Sequence, residues 1–275
     1  MSSSLRHVSV VAQLLALLLM LACGTADAEN LYQAQTIVTG QGEENRVAGL
    51  AQALKDLLVK VSGDPTLVGD PRLDTMARQV GAFVREFRYR DRMAGIPVHD
   101  EQGTRDRPYD LAVRFHPQKV DAALRSLGRK PWTAARPRVV VFLGVDNGAT
   151  TYMLAIDGDR GRDQRDALSA AAERLGMPMA VPDQAALIQA GITYQNLPAA
   201  DLAMLDTVAK AVGGDLALAG KLVWSDEALG WIAGWRLASE GHTYHWQIRG
   251  VSFDEAFRSA MRGAAQILSG HGAPN

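Results

Sequence analysis

The apolar residues of this chain change period along its length, and each period predicts an element. Residues 31–38 form a short extended candidate ending at Gly40 and Gly42. Over 43–61, Val47, Leu50, Ala51, Leu54, Leu57, Leu58 and Val61 recur every three or four positions, which is the stripe of a helix with one face in a core. Ser62-Gly63-Asp64-Pro65 stops it, because glycine accepts a left-handed cap and proline cannot extend the hydrogen-bond ladder. Leu73, Met76, Val80 and Phe83 predict a second helix over 73–83, and Arg85, Phe87 and Tyr89 a strand. The polar stretch 91–109, punctuated by Gly95, Pro97, Gly103 and Pro108, reads as a loop or hairpin tip. Leu111, Val113 and Phe115 alternate as a half-buried strand, and Pro117 opens a helix whose Val120, Ala123, Leu124 and Leu127 face inward up to Gly128.

Beyond residue 137 the pattern shifts. Val139-Val140-Val141-Phe142-Leu143 is apolar on both parities, as a strand covered on both faces requires. A strand over 151–156, a helix over 163–175 closed by Gly176, a short strand over 179–181 and helices over 183–189 and 201–212 follow. Three strands over 216–224, 231–238 and 243–251 come next, the last two joined through Glu240-Gly241. Ser252 and Glu255 form a capping box for a final helix burying Phe253, Phe257, Ala260, Ala264, Ile267 and Leu268. The expected fold is of the α+β / α/β class: two small mixed domains, each a sheet covered by helices. Their bounds are an N-terminal α+β domain over 29–128, a linker over 129–137, a C-terminal α/β domain over 138–270 and a frayed tail over 271–275.

Ahead of these lies a leader over residues 1–28. Arg6 gives a modest positive start, Val8 to Leu21 are apolar apart from Ser9 and Gln13, and Ala26-Asp27-Ala28 offers the small residues that a signal peptidase accepts. The apolar run falls short of the roughly 20 residues a membrane span needs. A cleaved signal peptide, with Ala26 and Ala28 as processing residues and a periplasmic or otherwise exported product, is therefore expected. The alternative is lipid attachment at Cys23, since Leu21-Ala22-Cys23-Gly24 resembles a lipobox. Cys23 is the single cysteine, so cleavage after Ala28 leaves no disulfide and folding must rest on packing.

With 29 basic against 30 acidic residues the net charge is −1, and no global field attracts nucleic acid or an anionic bilayer. The first domain and linker resemble a bacterial family of secreted proteins catalogued only as a domain of unknown function, number 2066. The resemblance rests on Leu31-Tyr32, Val59-Lys60-Val61-Ser62-Gly63, the Tyr89 segment, 111–115 before a helix, and Trp132 near Arg136-Pro137. It runs from residue 31 onward, is densest before residue 145, implies export, and carries no activity or site residues. More loosely, the helix-Gly-Gly-Asp-strand pattern over 209–220 looks like small α/β domains of envelope assembly proteins.

The candidate chemistries are thin. Gly40-Gln41-Gly42 lacks a third glycine, Asn45 standing there, and Glu43 and Glu44 oppose a pyrophosphate. Residues 157–163 alternate carboxylates as a calcium loop does, yet Arg162 and Leu168 occupy the positions of the essential Gly and Glu. His242 and His245 are three apart on a strand, which sends their rings to opposite faces. No catalytic residue, metal ligand or cofactor is assigned. Trp231, Trp235 and Trp246 are the candidate binding residues, an aromatic platform for glycan or peptide, set against their filling the space beneath the final helix. The expectation is a non-enzymatic binding or scaffold protein whose partner is an envelope protein or cell-wall component, with no nucleic acid and no transmembrane span in the mature form. The alternative is a cell-wall-directed hydrolase with carboxylates brought together by the fold.

Overall fold

The computed structural model describes residues 31–96 and 106–274. Cys23, Ala26 and Ala28 lie outside the described residues, as do residues 97–105 of the predicted hairpin tip. The chain divides into two compact units that are not contiguous in sequence. One comprises the residues up to Leu57 with Met76–Ser126, the other Leu58–Thr75 with everything from Leu127 onward. The division by packing differs from a sequence-contiguous one at the 129–137 linker in placing 58–75, together with 127–137, in the second unit.

The first unit is a three-stranded antiparallel sheet in the order β1-β3-β2, from β1 (Gln33–Thr39), β2 (Val84–Asp91) and β3 (Pro108–Phe115). Helix α1 (Glu43–Ser62) packs on one face through Gly49, where an added Cβ would come within 2.4 Å of Val38 and 2.9 Å of Leu111. Leu50, Leu54 and Leu57 are buried as the stripe predicts, whereas Val47 is left exposed at its edge. Helix α3 (Pro117–Ser126) buries Val120, Ala123 and Leu124. The expected helix over 73–83 is shorter: α2 (Pro71–Arg78) ends before a separate 3-10 turn at Val80–Ala82. Gly81 inside the predicted span weakens a continuous α-helix there.

The opposite face of this sheet carries Glu86, Arg88 and Arg90 from β2 and Asp110 and Arg114 from β3. Cross-strand register pairs Glu86 with Arg114 and Arg90 with Asp110. Arg90 donates to Asp110 Oδ2 at 2.6 and 3.0 Å, and Arg92 lies 3.8 Å from the other oxygen. Glu86 stands 3.1 Å from Arg114 and 3.9 Å from Arg88.

The second unit is built on a six-stranded sheet in the order β5-β4-β7-β8-β9, with β6 also on β4. The strands are β4 (Val139–Asp146), β5 (Thr151–Met153), β6 (Met179–Ala180), β7 (Leu216–Ser225), β8 (Gly230–Ser239) and β9 (His242–Val251). β4 and β7 pair in parallel, while β7, β8 and β9 form an antiparallel meander. β4 is buried from Val139 to Val145, as its apolar run requires. On one face α5 (Gln184–Gln189), a 3-10 turn at Leu197–Ala199 and α6 (Leu202–Ala211) cover Val140, Phe142, Ala217 and Ala219. The aspartates ahead of α5 and α6 cap them: Asp183 accepts from Ala186 N–H at 2.7 Å and Asp201 from Ala203 N–H at 3.0 Å. On the other face lies α7 (Phe253–Leu268), which packs with α4 (Arg162–Leu175); Ser252 caps α7 as predicted, accepting from Glu255 N–H at 3.3 Å.

Residues that carried the resemblance meet in this unit. Trp132 N–H donates to Val61 O at 2.7 Å, and the Arg136 guanidinium lies 4.5 Å over the Trp132 ring. The same guanidinium donates to Lys60 O at 2.5 Å and to Leu175 O, so one cation satisfies carbonyls at the C-terminal ends of α1 and α4. Gly63 adopts φ +75°, and a side chain there would strike Ser269 and Trp132. Asp64, 1% exposed, accepts from Thr66 and, at 2.5 Å, from Arg129. Burial opposes its charge, but the bonds from Thr66 and Arg129 outweigh that and hold it below the usual carboxylate range. Arg136 is pushed down from the ordinary guanidinium value by burial, and buried Lys60 falls to about 8, through burial first and the neighbouring Arg136 second.

Candidate functional site

Strand alternation sorts the side chains of β7–β9 into two sets. Gly220, Trp235 and Trp246 are in register across three strands and face α7. Gly220 is needed because an added Cβ would sit 2.1 Å from the Trp235 ring, and Gly263 of α7 makes the same room for Trp246 at 2.5 Å. Trp235 packs edge-on against Phe257 with centroids 6.3 Å apart, and Trp246 Nε1 donates to Ser259 O at 3.2 Å. Trp235 is 1% exposed and Trp246 6%. These two candidate binding residues therefore hold helix to sheet, and neither offers a ring to solvent. Trp231 shares their face as its parity requires; it is half-buried and stands edge-on to exposed Trp224 at 5.5 Å.

The other set makes the site. Lys221, Gly234 and Gln247 form one row across β7, β8 and β9, and Ala219, Arg236 and His245 the next. Together with Leu197 and Pro198 of the 3-10 turn they line an open groove of about 490 Å³. Above Gly234 there is empty space, with nothing within 4 Å of where a Cβ would stand. Lys221 Nζ rests 4.6 Å over the Tyr194 ring and makes no ion pair among the described residues. Asp146 of β4 is engaged elsewhere, accepting from Tyr194 Oη at 3.2 Å. Tyr194 in turn covers Gly144, where a Cβ would approach its ring to 3.0 Å. Arg236 donates to Leu197 O at 2.7 Å and Ala200 O at 3.2 Å, fixing the turn that walls the groove, and burial pushes its guanidinium down from the usual value. His245 and Gln247 are exposed at the rim. The groove thus gathers nitrogen donors and no carboxylate.

This set escaped sequence reading because its members are dispersed over 27 positions, from Lys221 to Gln247, and meet only through register. The available signal was parity: Lys221 in an otherwise apolar strand, then Gly234 with Arg236, then His245 with Gln247, each on the face away from the tryptophans.

The other motifs take structural roles. Asp157, first acid of the calcium-like stretch, accepts from Gln184 N–H at 2.9 Å at the start of α5, and Arg165 ties down Ala155 O and Arg160 O. Gly40 turns with φ +79°, its N–H bonded to Arg107 O, and Asn45 side-chain nitrogen reaches Thr39 O at 2.5 Å. His242 and His245 project to opposite faces of β9. Among the described residues no group of three or more His, Cys, Asp or Glu could hold a metal ion, and no helix is long and apolar enough to cross a membrane.

No curated protein and no solved structure matches the chain. A family model does match residues 25–133, and it is that of a domain of unknown function, DUF8605. The match carries a different number from the family 2066 named on sequence resemblance; what the two share is a family without an assigned activity.

Proposed function

We propose that this chain is an exported, non-enzymatic binding protein of the cell envelope, and that the groove on β7–β9 is where a partner or ligand docks. The observation that carries the reading is the groove itself: a concave site with an open floor at Gly234, rimmed by Lys221, His245 and Gln247. Export is supported by the leader sequence with Ala26-Asp27-Ala28, Cys23 remaining the alternative point of lipid attachment. The groove offers donors but no pair of carboxylates, the pair that the hydrolase alternative calls for.

The test has two arms. N-terminal sequencing of the product from a cell-envelope fraction should find Glu29 as the first residue, or a lipid on Cys23; an unprocessed cytosolic product would sink the export reading. A photo-crosslinking residue at Gln247 should trap one defined envelope component identified by mass spectrometry, while the same residue at Arg88 of the first unit should not. Equal trapping at both positions would remove the groove from the account.

A further inference from the structure

The geometry points to an oxyanion site over Gly234: a carboxylate or phosphate group of the ligand seats in the gap above this glycine, held by Lys221, Gln247 and His245. This assignment rests on the docking reading above and names the chemistry of what docks.

Three features converge on it. The first is shape. Gly234 leaves a bare patch in the middle of the sheet face, flanked in register by Lys221 on β7 and Gln247 on β9, with Arg236 and His245 in the adjacent row. A small group placed there has a donor-bearing residue in register on each side. The second is charge balance. The groove lining contains Lys221, Arg236 and His245 and no acid, and neither Lys221 nor Arg236 makes an ion pair among the described residues. The third is positioning. Lys221 is held over Tyr194, and Tyr194 is fixed by Asp146 and by its contact with Gly144, so the lysine has a fixed support at the edge of the groove. Arg236 spends two of its donors on the carbonyls of Leu197 and Ala200; its role is to hold the wall and contribute charge. Leu197 and Pro198 give that wall an apolar surface, suited to the carbon body that carries the anion.

Carboxylate and phosphate share this donor requirement, and the probes separate them. Amide chemical shifts of the full mature chain are followed by NMR while inorganic phosphate, acetate or chloride is added at constant ionic strength. Saturable shifts at Gly234, His245 and Gln247 with phosphate or acetate, absent with chloride, are expected. Tighter saturation by phosphate assigns a phosphate-bearing ligand, and by acetate a carboxylate-bearing one. Lys221→Gln with His245→Gln should weaken binding by roughly tenfold or more, in line with loss of charge-assisted bonds.

The sharper variant is Gly234→Leu, which fills the gap without touching any charge. Since a Cβ there meets nothing and a strand gains from replacing glycine, this variant should fold at least as well as the parent, with an unchanged or higher Tm, yet lose the saturable shifts. Parent-like binding by Gly234→Leu, or shifts that rise linearly and equally with all three salts, would overturn the site. The two readings fail separately. A component trapped at Gln247 without any oxyanion binding discards the ligand class and keeps the docking face; oxyanion binding with nothing trapped does the reverse.

Discussion

Both units expose a sheet face bearing several cations, and the faces differ in how those cations are balanced. On the first unit Arg88, Arg90, Arg92 and Arg114 surround two acids, each within 4 Å of two guanidinium groups. On the second, Lys221, Arg236 and His245 line a groove that holds no acid. On the first face each of the four cations already has a carboxylate partner, in pairs whose arginines are largely exposed. In the second, Lys221 and Arg236 make no ion pair among the described residues. Counting basic residues puts the first face ahead; asking which of them still lack a carboxylate partner puts the second ahead.

Four changes test or refine that contrast. The largest effect is expected beneath the groove: Trp235→Ala removes the packing between β8 and α7 and should cost about 3–5 kcal/mol in denaturant unfolding, whereas Trp231→Ala, on a half-buried residue, should cost far less. Next comes a cation that is buried instead of displayed. Lys60, held at about 8 when folded and free to titrate near 10.4 when unfolded, binds fewer protons in the native state between those values. Stability should therefore rise with pH, by about 2 kcal/mol from pH 7.5 to 9.5. Lys60→Met should abolish this slope, and chemical unfolding across the pH series reads it.

A third change, Asp110→Asn, attacks the paired face itself. It removes the charge of a carboxylate that is 5% exposed and bonded to Arg90, at a cost of about 1–3 kcal/mol in thermal unfolding. It should also create phosphate-dependent amide shifts on β2 and β3 that the parent lacks. Should the unaltered face bind phosphate as tightly as the groove, pairing would not be what separates them. The smallest effect belongs to Arg88→Gln, whose 3.9 Å pair is exposed; a change below about 0.5 kcal/mol is expected.

Much of the fold was legible locally. The both-parity apolar run of β4 marked an interior strand, the three-and-four spacing marked α1, and Ser252 with Glu255 marked the start of α7, because each depends on neighbours within a few residues. Misjudged features depend on distant partners. Helix α2 stops at Arg78, and the strand expected over 151–156 pairs only through Met153, leaving Ile156 exposed. For the tryptophans, parity correctly gave a common face; which face was covered depended on Gly220 and Gly263, whose missing side chains admit the rings. The groove was illegible for a related reason, since its floor is an absent side chain and its rim comes from three strands.

The split of the chain inside α1 has a consequence for how the protein is made. Residues 76–126 belong to the first unit and interrupt the second, whose earliest segment is 58–75. In synthesis Asp64 precedes Arg129 and Gly63 precedes Ser269, so neither pair can close until the remainder of the first unit, 76–126, has been made. A gene fragment cut at the apparent linker would deliver Trp132, Arg136 and Arg129 with Val61, Lys60 and Asp64 left behind on the discarded half, Arg136 keeping only Leu175 O.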